Sequence, residues 1–132
     1  LNDICNYLKP RVEEKEIEMV KNIVSTMSYS KVKIDGFPDF GEYNWAYHVV
    51  READLLTAYD FDRCMIYHLK NNKGDIETSF ESAAKLFENR VLKHNDDGLL
   101  LTEYSRANYM ELHNASLQRI NAWKKLLKKQ NL

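Results

Sequence analysis

Apolar residues recur at three- and four-residue spacing along most of the chain, the period of helices that bury one face. Ile17, Val20, Ile23, Val24 and Met27 form one such row, and Trp45, Val49, Ala53 and Leu56 a second. Met65, Ile66 and Leu69 make a short third row. Ala83, Ala84, Leu86, Phe87, Val91 and Leu92 make a fourth, and Tyr109, Leu112, Leu117, Ile120, Trp123 and Leu127 a fifth. No segment sustains the alternation of a half-buried strand. The pattern predicts an all-α, compact bundle of about five to six helices in a single domain over residues 1–132.

Local signals set the expected ends. A short helix is expected over Asn2 to Leu8, and Pro10 is expected to open the next, since proline is tolerated in a first turn. Ser28 to Gly41 holds Gly36, Pro38 and Gly41 and is expected to be irregular. Helices follow from Tyr43 to about Tyr59 and from Phe61 to Lys70. Thr78-Ser79-Phe80-Glu81 has the form of a capping box with Thr78 as N-cap, opening a helix that Asn95-Asp96-Asp97-Gly98 ends. Thr102 is expected to cap a long last helix, with Lys124, Lys125, Lys128 and Lys129 at its negative end.

Composition narrows the function classes. Forty-four per cent hydrophobic residues suffice for a core, and a net charge of -1 gives no field for sequence-independent nucleic-acid binding. No apolar run approaches the ~20 residues of a membrane span. Neither a signal peptide nor a cysteine framework is evident, so Cys5 and Cys64 are expected as reduced thiols in a cytoplasmic protein.

The residue with the sharpest chemistry is Asp54. At helical spacing it shares a face with Tyr47, Val50 and Ala58, where a carboxylate needs a metal, an arginine or a strong donor. A metal ligand is one alternative; the other is a partly buried carboxylate paired with Arg51 or Arg63, or capping a bend near Tyr59. His48, His68, His94 and His113 contain no pair at the four-residue spacing of a helical metal motif, and each is expected at the surface or half-buried. No nucleophile elbow, glycine-rich phosphate loop or Cys-x-x-Cys is present. Tyr29, Lys31 and Lys33, where the second helix gives way to the long loop, are candidates for phosphate contacts, with Arg51 a fourth.

Two stretches resemble the HD-domain superfamily of metal-dependent phosphohydrolases. One is Val50-Arg51-Glu52-Ala53-Asp54-Leu55-Leu56. The other is Ala83 to Leu92, followed by Thr102-Glu103-Tyr104-Ser105-Arg106-Ala107 and a long closing helix. The resemblance implies an HD-domain-like fold in which Asp54 matches the last ligand of the family's divalent metal site. The family's earlier histidines and His-Asp pair have no counterpart here, and Thr57 stands where an acidic residue is usual. The resemblance therefore implies a longer intact protein whose upstream ligands precede Leu1, or a degenerate member.

On that basis the expected function is a metal-dependent phosphohydrolase acting on a nucleotide or other small phosphate ester. A divalent metal is expected in the intact protein and none on this chain alone. The alternative is a catalytically inactive helical module that binds a partner or nucleotide. Neither implies a membrane or nucleic acid as partner, and both leave room for a homo-oligomer.

Overall fold

A computed structural model describes residues 1–130, and all of their regular structure is helical. The seven α-helices exceed the expected five to six because the stretch after Ser28 holds one more. No helix among the described residues is long and apolar enough to cross a membrane. The chain divides into two compact units, Leu1–Arg51 and the residues from Glu52 onward, with the division inside the fourth helix.

In the first unit, α1 spans Asn2–Leu8 and α2 spans Glu14–Thr26. Pro10 lies in the turn between them and does not open α2. The helix starts where Glu13 and Glu16 form a reciprocal capping box, the Glu13 N–H donating to Glu16 Oε2 at 2.9 Å. That box satisfies two amide groups of the first turn through side-chain acceptors, which proline lacks. Ile17 and Ile23 are the buried residues of α2.

The stretch expected to be irregular contains α3, Tyr29–Asp35. Ser28 caps it by accepting from the Lys31 N–H at 3.3 Å, and Gly36, at φ 73°, ends it in a conformation that side chains disfavour. Asp39 then accepts from the Gly41 N–H at 2.8 Å and from Asn44 Nδ2 at 3.1 Å, while Asn44 Oδ1 accepts from the Phe40 N–H at 2.6 Å. These bonds lead through a 3-10 turn at Gly41–Tyr43 into α4, Asn44–Thr57.

The stripe expected to face inward on α4 is wrong. Trp45 is 63% exposed and Val49 is also exposed, whereas Tyr47, Arg51 and Leu55 are buried at four-residue spacing. Apolar residues surround this helix, so periodicity alone did not select the buried face.

In the second unit, α5 covers Phe61–Asn71, α6 Ile76–Asn89 and α7 Glu103–Gln130. Tyr59, Phe61, Met65, Phe80, Ala83, Phe87, Val91 and Ile120 make its core. Phe61 meets Phe87 and Phe80 edge-on, at centroid distances of 5.0 and 6.0 Å. The α6 cap is Asp75, not Thr78: its carboxylate accepts from the Thr78 N–H at 2.7 Å, which places Thr78 inside the first turn. α6 stops at Asn89, so Val91 and Leu92 lie in a 3-10 turn, Val91–Lys93, rather than in the helix. Thr102 does cap α7, its Oγ1 accepting from the Ser105 N–H at 3.2 Å. Lys124, Lys125 and Lys128 are exposed near its end, and the side chain of Lys129 lies outside the described ones.

Candidate functional site

Asp54 is exposed, not buried. Its backbone carbonyl accepts from Thr57 Oγ1 at 2.8 Å and from the Ala58 N–H, and its carboxylate has no hydrogen-bond or ion-pair partner among the described residues. The buried carboxylate of α4 is Glu52, at 1% exposure. Its oxygens accept from the Leu101 N–H at 2.7 Å, the Thr102 N–H at 2.9 Å and Thr102 Oγ1 at 2.6 Å, and Ser105 Oγ stands 2.8 Å from Thr102 Oγ1. Burial works to raise the Glu52 carboxyl, but this ring of donors outweighs it and holds the group below the usual glutamate value. The arrangement ties the entry of α7 to the end of α4. It is a structural use of the charge that the sequence pattern placed two residues later.

Arg51 is 1% exposed within the first unit. Its guanidinium carbon lies 4.7 Å from the Phe37 ring centroid and 6.0 Å from that of Tyr47, with Nη2 3.1 Å from His48 Nδ1. Tyr29 is half-buried on α3, while Lys31 and Lys33 are exposed there. Lys31 borders a small depression of about 110 Å3 with Thr26, Asp35, Gly36 and Pro38. Asp54 belongs to the second unit and these four residues to the first. Among the described residues no three histidines, cysteines, aspartates or glutamates come together as a metal site. His94, expected at the surface or half-buried, is buried, with its ring 5.6 Å from that of Tyr59.

A larger concavity lies elsewhere, in the second unit. Leu56, Thr57, Tyr59, Asp60, Phe61 and Arg63 form one wall, at the corner where α4 turns into α5. Tyr104, Asn108, Glu111, Leu112, Ala115, Ser116 and Arg119 of α7 form the other, around about 720 Å3. That volume falls in the range of small-molecule sites. The α7 residues recur every three or four positions, so a single face of a long helix supplies the whole wall.

Each wall is fixed in place. Asp60 caps α5, accepting from the Arg63 N–H at 3.1 Å. Ser116 Oγ lies 2.5 Å from the Tyr59 carbonyl oxygen and 2.9 Å from that of Leu112, which fastens the corner to α7. Farther along, Asp62 accepts from Arg119 Nε and Nη2 at 3.2 and 3.1 Å and from Trp123 Nε1 at 3.0 Å. Partial burial works to raise the Asp62 carboxyl, but the Trp123 and Arg119 hydrogen bonds and the Arg119 charge leave it below its ordinary value. Tyr59 is buried, and burial first, then Tyr109 and Asp96, push its phenol up to about 12.

Two cations line this groove in different states. Arg119 is paired with Asp62, at 2.9 Å between Nη2 and Oδ2. Arg63 spends its backbone N–H on Asp60, and its exposed guanidinium has no hydrogen-bond or ion-pair partner among the described residues. No local signal marks this site, because its residues are scattered from 56 to 119 without a motif. A cue is visible only afterwards, in the small and polar row Asn108, Ala115, Ser116 and Arg119 on a helix otherwise read for its apolar side.

Comparison with protein-family models, curated proteins and solved structures returned no match.

Proposed function

We propose that this chain is a helical binding module whose ligand is a small organic phosphate ester, held in the groove between the α4–α5 corner and α7. The observation that carries the proposal is the groove itself. It joins the aliphatic side chains of Leu56, Leu112 and Ala115 to two arginines, one of them without a partner among the described residues. Mostly apolar concavities with a few placed polar groups are the usual form of a ligand site, and arginine suits phosphate oxygens. Tyr104, exposed at the rim, offers a flat surface to a base or other ring.

The metal-dependent chemistry implied by the HD resemblance requires several ligands around one ion. Asp54 is a single exposed carboxylate, and the described residues bring no second ligand set to it, so they do not fit such a centre.

The test uses Trp123, whose indole donates to the same Asp62 that holds Arg119. In a Trp45→Phe background it is the only tryptophan. Titration with adenosine monophosphate and with an alkyl phosphate should give a saturable fluorescence change for at least one of them, weakened in Arg63→Gln. A flat response to both rejects the proposal. Manganese-stimulated hydrolysis of p-nitrophenyl phosphate that is lost in Asp54→Asn would replace it with the hydrolase.

A further inference from the structure

A second cavity of about 370 Å3 opens in the same unit, lined by Ala58, Cys64, Tyr67, Leu86, Phe87 and Val91, with Asp60 and Arg63. Asp60 and Arg63 therefore border both this chamber and the larger groove. The chamber is mostly hydrocarbon and aromatic ring, contributed by α5, α6 and the turn after α6. The Arg63 guanidinium, which has no hydrogen-bond or ion-pair partner among the described residues, borders both the apolar chamber and the groove.

We infer that the ligand is an anionic amphiphile: a soluble monoester or acid whose charged head meets Arg63 and whose apolar tail fills the α5–α6 chamber. This deepens the proposed function and rests on it. The charge argument favours an anion over a cation. Asp60, which borders both cavities with Arg63, already accepts from the Arg63 N–H at the first turn of α5, so its charge is committed to the helix end, and Glu111 borders the groove but not the chamber. The Arg63 side chain has no such commitment among the described residues. The size argument favours a tail as well as a head, because a compact anion such as inorganic phosphate would leave the chamber's apolar lining unused. Burying hydrocarbon there contributes free energy in proportion to the area removed from water.

Cys64 provides a readout inside the chamber. It is a free, half-buried thiol, and burial pushes it up while the Arg63 charge works against that rise. Alkylation by iodoacetamide at mildly alkaline pH, followed at peptide resolution by mass spectrometry on the whole chain, separates it from Cys5 in the first unit. Decyl phosphate should slow Cys64 alkylation several-fold and saturably and leave Cys5 unchanged. Inorganic phosphate should not protect at all. Arg63→Gln should raise the half-protecting concentration of decyl phosphate by about tenfold, the loss expected for one charge-assisted hydrogen bond, and leave that of decanol unchanged. Unfolding by the amphiphile would speed alkylation, the opposite sign. A saturable Trp123 response without protection of Cys64 overturns the amphiphile and leaves the groove standing. Absence of both removes the groove and the amphiphile together. Protection by phosphatidylglycerol vesicles but not by soluble decyl phosphate also overturns the inference, since the occupant would then be a membrane surface.

Discussion

Two carboxylates two residues apart on α4 have opposite fates, and the difference is measurable. Glu52 is buried and accepts from two backbone amides and a hydroxyl, whereas the Asp54 side chain is exposed. Glu52→Ala strands those donors in the interior, at a cost of about 3 kcal/mol. Asp54→Asn removes no such contact and should stay within about 0.5 kcal/mol, as surface substitutions usually do. Chemical denaturation at neutral pH checks both, and a large loss for Asp54→Asn would contradict its exposed position. The pH dependence has a definite sign. Glu52 is depressed in the folded state, so its contribution is complete above about pH 4.3, the unfolded-chain value, and is lost as pH falls through the lower folded value. The stability difference between the native chain and Glu52→Gln should therefore shrink on acidification through that window. A difference that stays constant would show that the Glu52 charge plays no part.

At the scale of elements, the helical period was legible, while caps and faces were legible only in part. α5 begins at Phe61 as expected, because Asp60 is a strong cap standing directly before an apolar run. α6 begins earlier than expected because two adjacent signals compete. Thr78 with Glu81 has the form of a capping box, yet Asp75 lies three residues before Thr78 and wins its amide. α3 was hidden because its seven residues bury only Val32, too few to show a period among three punctuating residues. The face of α4 was misassigned because Arg51 and Glu52 belong inside. Stacking on Phe37 and the donors around Thr102 make those positions favourable, and both depend on residues remote in sequence. The same remoteness made the groove illegible, since no window contains both of its walls. The capping difference leads to a test. Asp75→Ala should lower the thermal midpoint clearly and Thr78→Ala less, because Thr78→Ala gives up only the side-chain bond to Asp75 and keeps the backbone N–H that Asp75 caps. Hydrogen bonding from Thr78 also holds the Asp75 carboxyl below its ordinary value, so the cap acts in its charged form at neutral pH. Equal losses in the two variants would return the cap to Thr78.

For the molecule as a whole, the two units differ in how much apolar side chain each buries. The unit from Glu52 onward holds the aromatic cluster of Tyr59, Phe61, Phe80 and Phe87, with Met65, Val91 and Ile120. The buried apolar residues of Leu1–Arg51 are Cys5, Ile17, Ile23, Val32 and Tyr47, spread over four helices and smaller on average. Local opening free energy follows buried apolar contact, so amide hydrogens of α5, α6 and the middle of α7 should exchange more slowly than those of α1 to α3. Phe87 is the point at which to probe the larger core. It is fully buried and meets Phe61 edge-on at 5.0 Å. Phe87→Ala should cost about 3–5 kcal/mol, the usual range for removing a buried aromatic ring. Phe87 also lines the smaller cavity, so the variant enlarges it. Hydrogen exchange followed by mass spectrometry locates the loss. Faster exchange in α5, α6 and the facing part of α7 would place the core there, because those segments carry the residues packed with Phe87. Uniform protection of α1 to α3 and α5 to α7 in the native chain, with a uniform loss on Phe87→Ala, would show instead that the chain opens as one cooperative body.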